Sequence, residues 1–170
     1  MFDLLVADLR HMTAAWDASP GRVLFGAVLR APLHPQLRVA AYYRFSQVVY
    51  RYRALRWLAL YCKARSIRAC AVEIHPAADI GPGLALGHGV GIVIGHAVVA
   101  GRDLALLQGV TIGHGRDPSA GQPRLGNRVL IGAGAVLLGG IVVGDNVKIG
   151  ANSVVLADVP AGTTVVGVWK

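Results

Sequence analysis

The chain has 170 residues, enough for one domain or for a main domain with a small helical unit. With 54% hydrophobic, 15% charged and 6% aromatic residues and 22 glycines, the composition excludes a disordered chain and favours a core of aliphatic side chains. The net charge of +8 lies in residues 1–72, where 11 basic residues accompany three acids, because residues 73–170 hold six of each sign.

Residues 1–70 are predicted to form an α-helical cap and oligomerisation segment. Residues 1–18 have the pattern of a short amphipathic helix that ends near Ser19-Pro20-Gly21. After Pro35, apolar residues recur at three- and four-residue steps up to about residue 70, as in one long helix or two shorter ones. The interspersed basic residues are expected to form a solvated helical face, although an anionic membrane or an acidic glycan would also suit them. No nucleic-acid-binding motif is visible, so a nucleic-acid partner is not expected.

A six-residue period replaces the helical pattern from residue 73 onward. In most units an aliphatic residue is followed by Gly, and a polar stretch at residues 114–124 interrupts the series. The aliphatic positions are Ile74, Ile80 and Leu86, then Ile94, Ala100, Leu106 and Ile112, and finally Leu125, Ile131, Leu137, Val143, Ile149 and Val155.

This period is typical of a hexapeptide-repeat parallel β-helix. Each unit supplies one short strand and one tight corner, and three units, about 18 residues, complete a coil. The aliphatic side chain points into a narrow prism, while the neighbouring Gly lets the backbone turn. Residues 71–170 are therefore predicted to form a mainly β domain. Its exposed strand edges need caps, for which we expect residues 1–70 at one end and residues 159–164 at the other.

The sequence also bears on location and metal content. Asp3, Asp8 and Arg10 interrupt the first apolar stretch, so no signal peptide is expected, and no apolar run approaches the ~20 residues of a membrane span. Cys62 and Cys70 fit neither a metal site nor a disulfide framework. We therefore expect a cytoplasmic protein, at most peripheral to a membrane, without a metal.

Several motifs of residues 70–168 resemble those of bacterial serine acetyltransferases and their relatives. They are Glu73-Ile74-His75-Pro76, Gly87-His88-Gly89, Gly91-Ile92-Val93-Ile94-Gly95, Leu107-Gln108-Gly109-Val110-Thr111-Ile112-Gly113, Ile131-Gly132-Ala133-Gly134-Ala135, Ile149-Gly150-Ala151-Asn152-Ser153 and Asp158-Val159-Pro160. The resemblance implies a left-handed β-helix, a homotrimer, and an O-acetyltransferase that takes its acetyl group from acetyl-CoA.

The same resemblance implies the site residues. His88 would be the general base that accepts the proton of an attacking hydroxyl, and Glu73 would orient and stabilise its imidazole. Because these residues are 15 apart, close to one coil, we expect them on adjacent rungs near one corner. Acetyl-CoA would bind in a groove between neighbouring prisms. Its contacts would come from His114, Ala133 and Ala151, with Lys148 near the nucleotide phosphates, although Ala133 and Ala151 are also what a repeat corner needs.

The acceptor side departs from the family pattern. Gly87 stands where the family carries an Asp that holds the serine amine. Gly121-Gln122-Pro123 stands where it carries an Arg-His-Pro run that grips the serine carboxylate. His96 replaces a Glu, and His114 a Gly. An amino acid would then bind with unpaired charges, so the sequence favours a neutral hydroxyl acceptor, such as a sugar of exopolysaccharide synthesis.

Two alternatives stay open. One is serine O-acetylation in cysteine biosynthesis, with substitute contacts to the acceptor. The other is a trimeric scaffold that has lost catalysis, although the presence of both Glu73 and His88 argues against it. The final residues, Trp169-Lys170, differ from the terminal Ile of family members that bind cysteine synthase, so that complex is not expected.

Overall fold

The computed structural model describes residues 1–13, 17–30 and 34–170. In this part of the chain, helices come first and short strands follow. The helices are α1 (Phe2–Thr13), α2 (Pro20–Arg30), α3 (Pro35–Val49) and α4 (Arg56–Cys70), with a 3₁₀ turn at Arg53–Leu55 before α4. The strands are β1 (Glu73–Ile74), β2 (Asp79–Ile80), β3 (Ala85–Leu86), β4 (Val93–Ile94), β5 (Val99–Ala100), β6 (Ala105–Leu106), β7 (Thr111–Gly113), β8 (Arg124–Leu125), β9 (Leu130–Ile131), β10 (Val136–Leu138), β11 (Val142–Val143), β12 (Lys148–Ile149), β13 (Val154–Val155), β14 (Thr164–Val165) and β15 (Val168–Trp169).

The strands form a parallel β-helix with three faces. Face A contains β1, β4, β7, β10, β13 and β15, face B contains β2, β5, β8 and β11, and face C contains β3, β6, β9, β12 and β14. All pairs are parallel and in register, so the aliphatic residues of successive coils stack in rows. The row on face A is Ile74, Ile94, Ile112, Leu137 and Val155, each at most 4% exposed. The prediction of a parallel β-helix behind a helical segment is confirmed.

Close approach between coils explains the glycine that follows many of the aliphatic residues. A Cβ placed on Gly132 would lie 2.6 Å from the backbone nitrogen of Ala151 in the next coil. The contact is with backbone, which cannot move aside as a flexible side chain would. Gly is therefore required where the chain turns past the coil above it.

The helical segment contains one helix that the sequence did not predict. α2 begins at Pro20, where the sequence analysis placed the end of the first helix, and α1 is described only as far as Thr13. Proline suits the first turn of a helix because its fixed φ is helical and no amide hydrogen is needed there. Val23 and Ala27 of α2 then pack against Leu9 and Leu37. Residues 35–70 form two helices, which was one of the two predicted arrangements.

A buried ion pair fixes the helices to the first coil. Arg44 of α3 donates to both carboxylate oxygens of Asp8 in α1, at 2.6 and 2.9 Å, and neither side chain is more than 1% exposed. The guanidinium also donates to the carbonyls of Ile80 and Gly81. Asp8 in turn accepts from the amides of Gly83 and Leu84. Arg44 thus joins two helices to the prism, so the prediction that the basic residues form a solvated face is wrong for this residue.

The last residues continue the prism instead of forming a separate cap. Val159 bridges to Val143 on face B, and β14 and β15 then extend faces C and A. The indole of Trp169 donates to the carbonyl of Asp158 at 3.0 Å and packs against the core. The prediction that residues 159–164 act as the terminal cap is therefore wrong, since β14 begins within them, at Thr164, and β15 follows. In the described residues, no helix is long and apolar enough to span a membrane.

Candidate functional site

His88 projects from a turn at one edge of the prism. This C/A edge is where the chain passes from face C to face A, and His88 lies in the turn between β3 and β4. The side chain is exposed and the backbone has φ +53°, a left-handed conformation unusual for a residue with a Cβ. Gly89, next to it, packs against Gln36 at the start of α3. The turn is therefore held in place from outside while the ring points into solvent.

Glu73 lies on face A beside this turn, with partners of its own. Its amide donates to the carbonyl of Ile92, and its carboxylate accepts from the Lys63 ammonium at 2.6 Å. Among the described residues, no hydrogen bond or ion pair joins Glu73 to His88. The hexapeptide period predicts about 18 residues per coil, whereas Glu73 pairs with Val93, 20 residues later. The turn that carries His88 is enlarged, so a 15-residue spacing falls short of the next rung.

An open cavity of about 340 Å³ lies on face A near its other edge. This A/B edge is where the chain passes from face A to face B. Glu73, His75, His96, His114 and Gln122 contribute polar groups to the cavity wall. The imidazoles follow one another along the prism. His75 and His96 meet edge-on with ring centroids 5.8 Å apart, and His96 and His114 meet at a tilt with centroids 5.3 Å apart. We call these three residues the histidine ladder.

The sequence singles out Glu73, His96, His114 and Gln122 one by one but does not show the three histidines as a unit. A signal was present, because each of the three histidines follows the aliphatic residue of a face A repeat by one or two residues: Ile74-His75, Ile94-Gly95-His96 and Ile112-Gly113-His114. This one-residue offset and the unequal lengths of the coils hide the shared location when residues are only counted. Among the described residues, no group of three or more His, Cys, Asp or Glu side chains could hold a metal ion.

The residues expected to contact acetyl-CoA fall at two different edges. Ala133 and Ala151 lie in turns at the C/A edge, as do His88 and Gly87. His114 lies at the A/B edge, on the far side of face A. Lys148 is exposed at the start of β12 on face C. One prism therefore does not gather these residues around a single groove.

Comparisons with known proteins identify the family. A hexapeptide family, described as bacterial transferase hexapeptide (six repeats), matches residues 123–157. A serine acetyltransferase of Helicobacter pylori is 44% identical over 141 residues, which is 79% of this chain and 79% of the relative. The chain belongs to the serine acetyltransferase family. The prediction of a hexapeptide-repeat acyltransferase is therefore confirmed.

Solved serine acetyltransferases share the fold as well. A Neisseria gonorrhoeae serine acetyltransferase in complex with serine has a TM-score of 0.81 and 34% identity over 96% of this chain and 65% of its own. A serine acetyltransferase in complex with CoA has a TM-score of 0.77 and 36% identity, covering 95% and 65%. This chain thus spans about 65% of the length of these two solved structures. The exopolysaccharide interpretation finds no support among these relatives, and neither does the expectation that no cysteine synthase complex forms.

Proposed function

We propose that this protein transfers the acetyl group of acetyl-CoA to the hydroxyl of serine. The observation that carries the proposal is the 44% identity to a serine acetyltransferase over 79% of both chains. Related serine acetyltransferases have been solved with CoA and with serine. Serine, which the sequence ranked second, thereby becomes the favoured acceptor over a neutral sugar.

In the proposed reaction His88 is the general base. The serine hydroxyl oxygen attacks the thioester carbonyl carbon while the imidazole accepts its proton. The C–S bond then breaks, and the imidazolium returns the proton to the sulfur, which gives O-acetylserine and the CoA thiol. Glu73 is proposed to orient the ring and stabilise its charged form, as a carboxylate does in a catalytic triad. Its pair with Lys63 is 44% exposed on the Glu73 side, so the pair is weak and can be exchanged.

The donor site is proposed to lie between subunits of a homotrimer of left-handed β-helices. His88, Ala133 and Ala151 share the C/A edge, whereas His114 and the cavity lie toward the A/B edge. If the C/A edge of one prism meets face A of its neighbour, both sets line one groove. Lys148 would then approach the nucleotide phosphates from face C. The helical segment, residues 1–70, caps the prism and adds oligomer contacts.

A neutral hydroxyl acceptor is the second candidate. Gly87 carries no carboxylate for an amine. A Cβ there would come too close only to Cδ2 of Leu107, a flexible side-chain end at 2.6 Å, and would meet the Leu106 carbonyl at an ordinary 3.6 Å. Gly121 carries no guanidinium for a carboxylate. These two positions favour an uncharged acceptor. If serine is the acceptor, other residues must bind its amine and carboxylate, and the cavity lined by the histidine ladder holds the candidates.

The experiment that tests the proposal measures release of free thiol from acetyl-CoA. We expect L-serine to be turned over at a kcat in the ordinary enzyme range of about 1–1000 per second. The comparison acceptors are serinol, which lacks the carboxylate, and a panel of neutral sugars. If kcat/KM is higher for a sugar than for serine, the sugar and not serine is the preferred acceptor. No turnover and no acetyl-CoA binding would favour the inactive scaffold.

A further inference from the structure

The histidine ladder is a row of edge-on and tilted rings, two of which have defined hydrogen-bond partners. Its rings lie one per coil at the A/B edge, and Tyr50 closes one end with an edge contact to His75 at 5.6 Å between ring centroids. The side chains of His96 and His114 are exposed, and His75 is half-buried. The ladder is therefore anchored at one end and open to a ligand along its length.

The contacts of His75 and His96 determine which ring nitrogen carries hydrogen. The amide of Ala77 donates to Nδ1 of His75 at 3.1 Å, so the neutral ring carries its hydrogen on Nε2. Oε1 of Gln122 accepts from the amide of Ala97 at 3.1 Å, which orients the Gln122 side chain. Its amide nitrogen then donates to Nδ1 of His96 at 3.2 Å. In both rings Nδ1 is thus an acceptor and Nε2 is left as an N–H donor.

The surroundings of His75 keep its ring neutral, so that its N–H can donate to an oxyanion. Burial lowers the pKa of His75, and the nearby Lys63 ammonium and His96 lower it further, with Glu73 opposing them. His75 is therefore a neutral donor at physiological pH, and it needs no protonation to bind an oxyanion. The Lys63 ammonium, paired with Glu73 at 2.6 Å, offsets the negative charge of that carboxylate. Of the described residues that line the cavity, Glu73 is the one acid.

Two of the departures from the family pattern meet in this cavity. His96 stands where relatives usually carry Glu, and Gln122 stands where they carry the His of the Arg-His-Pro run. These two residues contact each other directly, so the changes act on one local network. The chain lacks the Arg and His side chains of the loop at residues 121–122 and carries an additional ring N–H donor at His96, in contact with Gln122. A carboxylate acceptor can therefore be held by different residues in the same region.

We propose that the Nε2–H groups of His75 and His96 bind the carboxylate of the amino-acid acceptor, in place of the missing Arg-His pair. Gln122 is a positioning residue, since it fixes the His96 tautomer without contacting the ligand. This inference rests on the proposed function, because it assumes that serine is the acceptor. It assigns the specificity for a carboxylate to two residues outside the loop that carries it in relatives.

The test replaces His96 with Phe, which keeps an aromatic ring between His75 and His114 and removes the N–H donor. We expect KM for L-serine to rise about tenfold or more, the loss of one hydrogen bond to a charged group. KM for acetyl-CoA is expected to stay within about twofold, and kcat/KM for serinol should not change, since serinol has no carboxylate. His96→Gln keeps an N–H donor, on a side-chain amide, and its affinity for serine should lie between those of His96→Phe and the wild type. A rise in KM for acetyl-CoA with no change for serine would assign the ladder to the donor's phosphates and overturn the inference.

A binding measurement separates this inference from the choice of acceptor. In protein labelled with ¹⁵N-histidine, L-serine and L-glycerate should shift the Nε2 resonances of His75 and His96, whereas serinol should not. If the enzyme fails to acetylate serine but these shifts occur, the proposed function fails and the carboxylate site stands. If serine is acetylated and neither resonance moves at saturating serine, the ladder is not the carboxylate site.

Discussion

Replacing His88 with Asn is expected to lower kcat for serine acetylation by about 10²- to 10⁴-fold, the usual contribution of a general base. Asn is chosen because His88 has φ +53°, and Asn tolerates the left-handed conformation better than other non-glycine residues. The turn should therefore keep its shape while the proton acceptor is lost. KM for acetyl-CoA should change little, since the imidazole acts on the acceptor hydroxyl.

The matched control for this variant is Asp103→Asn. Asp103 also has a left-handed backbone, with φ +59°, but lies at the turn between faces B and C, away from the proposed site. Its kcat should equal that of the wild type, which shows that a new Asn in such a turn is harmless. A His88→Asn enzyme with kcat within a factor of about ten of the wild type would remove His88 from the catalytic role.

Replacing Asp8 with Leu is expected to lower the free energy of unfolding by about 3–5 kcal/mol. The change leaves the Arg44 guanidinium, 1% exposed, without its anion, and it also removes the acceptor of two backbone amides. Burial raises the pKa of the Asp8 carboxyl, while the hydrogen bonds from Arg44, Leu84 and Gly83 lower it. The carboxylate thus depends on its partners, and Arg44 depends on the carboxylate. The measurement is urea unfolding at one fixed protein concentration, because oligomer stability depends on concentration.

The double variant Asp8→Leu, Arg44→Met shows whether the unpaired charge is the cause. With both charges removed, the loss should be smaller than in Asp8→Leu alone, because apolar side chains tolerate the buried position. The carbonyls of Ile80 and Gly81 would still lose a donor, so some destabilisation remains. Equal unfolding free energies for the single and double variants would mean that burial of Arg44 without a partner is not what destabilises the fold.

The repeat domain could be predicted from sequence because one local rule covers most of it. Each aliphatic residue at the six-residue period occupies the interior, and Ile112, Ile131 and Leu137 are completely buried. The helices were harder to place, since Pro20 is compatible both with a break and with a first turn. Tertiary contacts of Val23 and Ala27 with Leu9 decide between them, and no local pattern shows those contacts.

The site was less predictable than the fold because it depends on small differences in coil length. Glu73 and His88 were predicted on adjacent rungs, yet the first coil has 20 residues, and His88 lies in its enlarged turn, five residues before Val93, the partner of Glu73. The long loop between β7 and β8 returns Gln122 to the ring of His96, 26 residues earlier. Such a contact follows from the path of one irregular loop. Counting repeats therefore locates strands well and locates side-chain partners poorly.

Subunit complementation tests the central claim, that His88 of one subunit serves the face A cavity of another. One variant is His88→Asn, and the other is Gly113→Leu, which fills the cavity at a position where a Cβ meets no atom within 4 Å. Each variant alone should be inactive. Each site lies between two subunits, and in trimers mixed at random from equal amounts of both variants it is intact only when one subunit supplies His88 and the other an open cavity. Each condition is met in half of the cases, so about a quarter of the wild-type activity should return. Activity no higher than that of the separate variants would show that His88 and the cavity of the same chain work together, and would contradict the shared site.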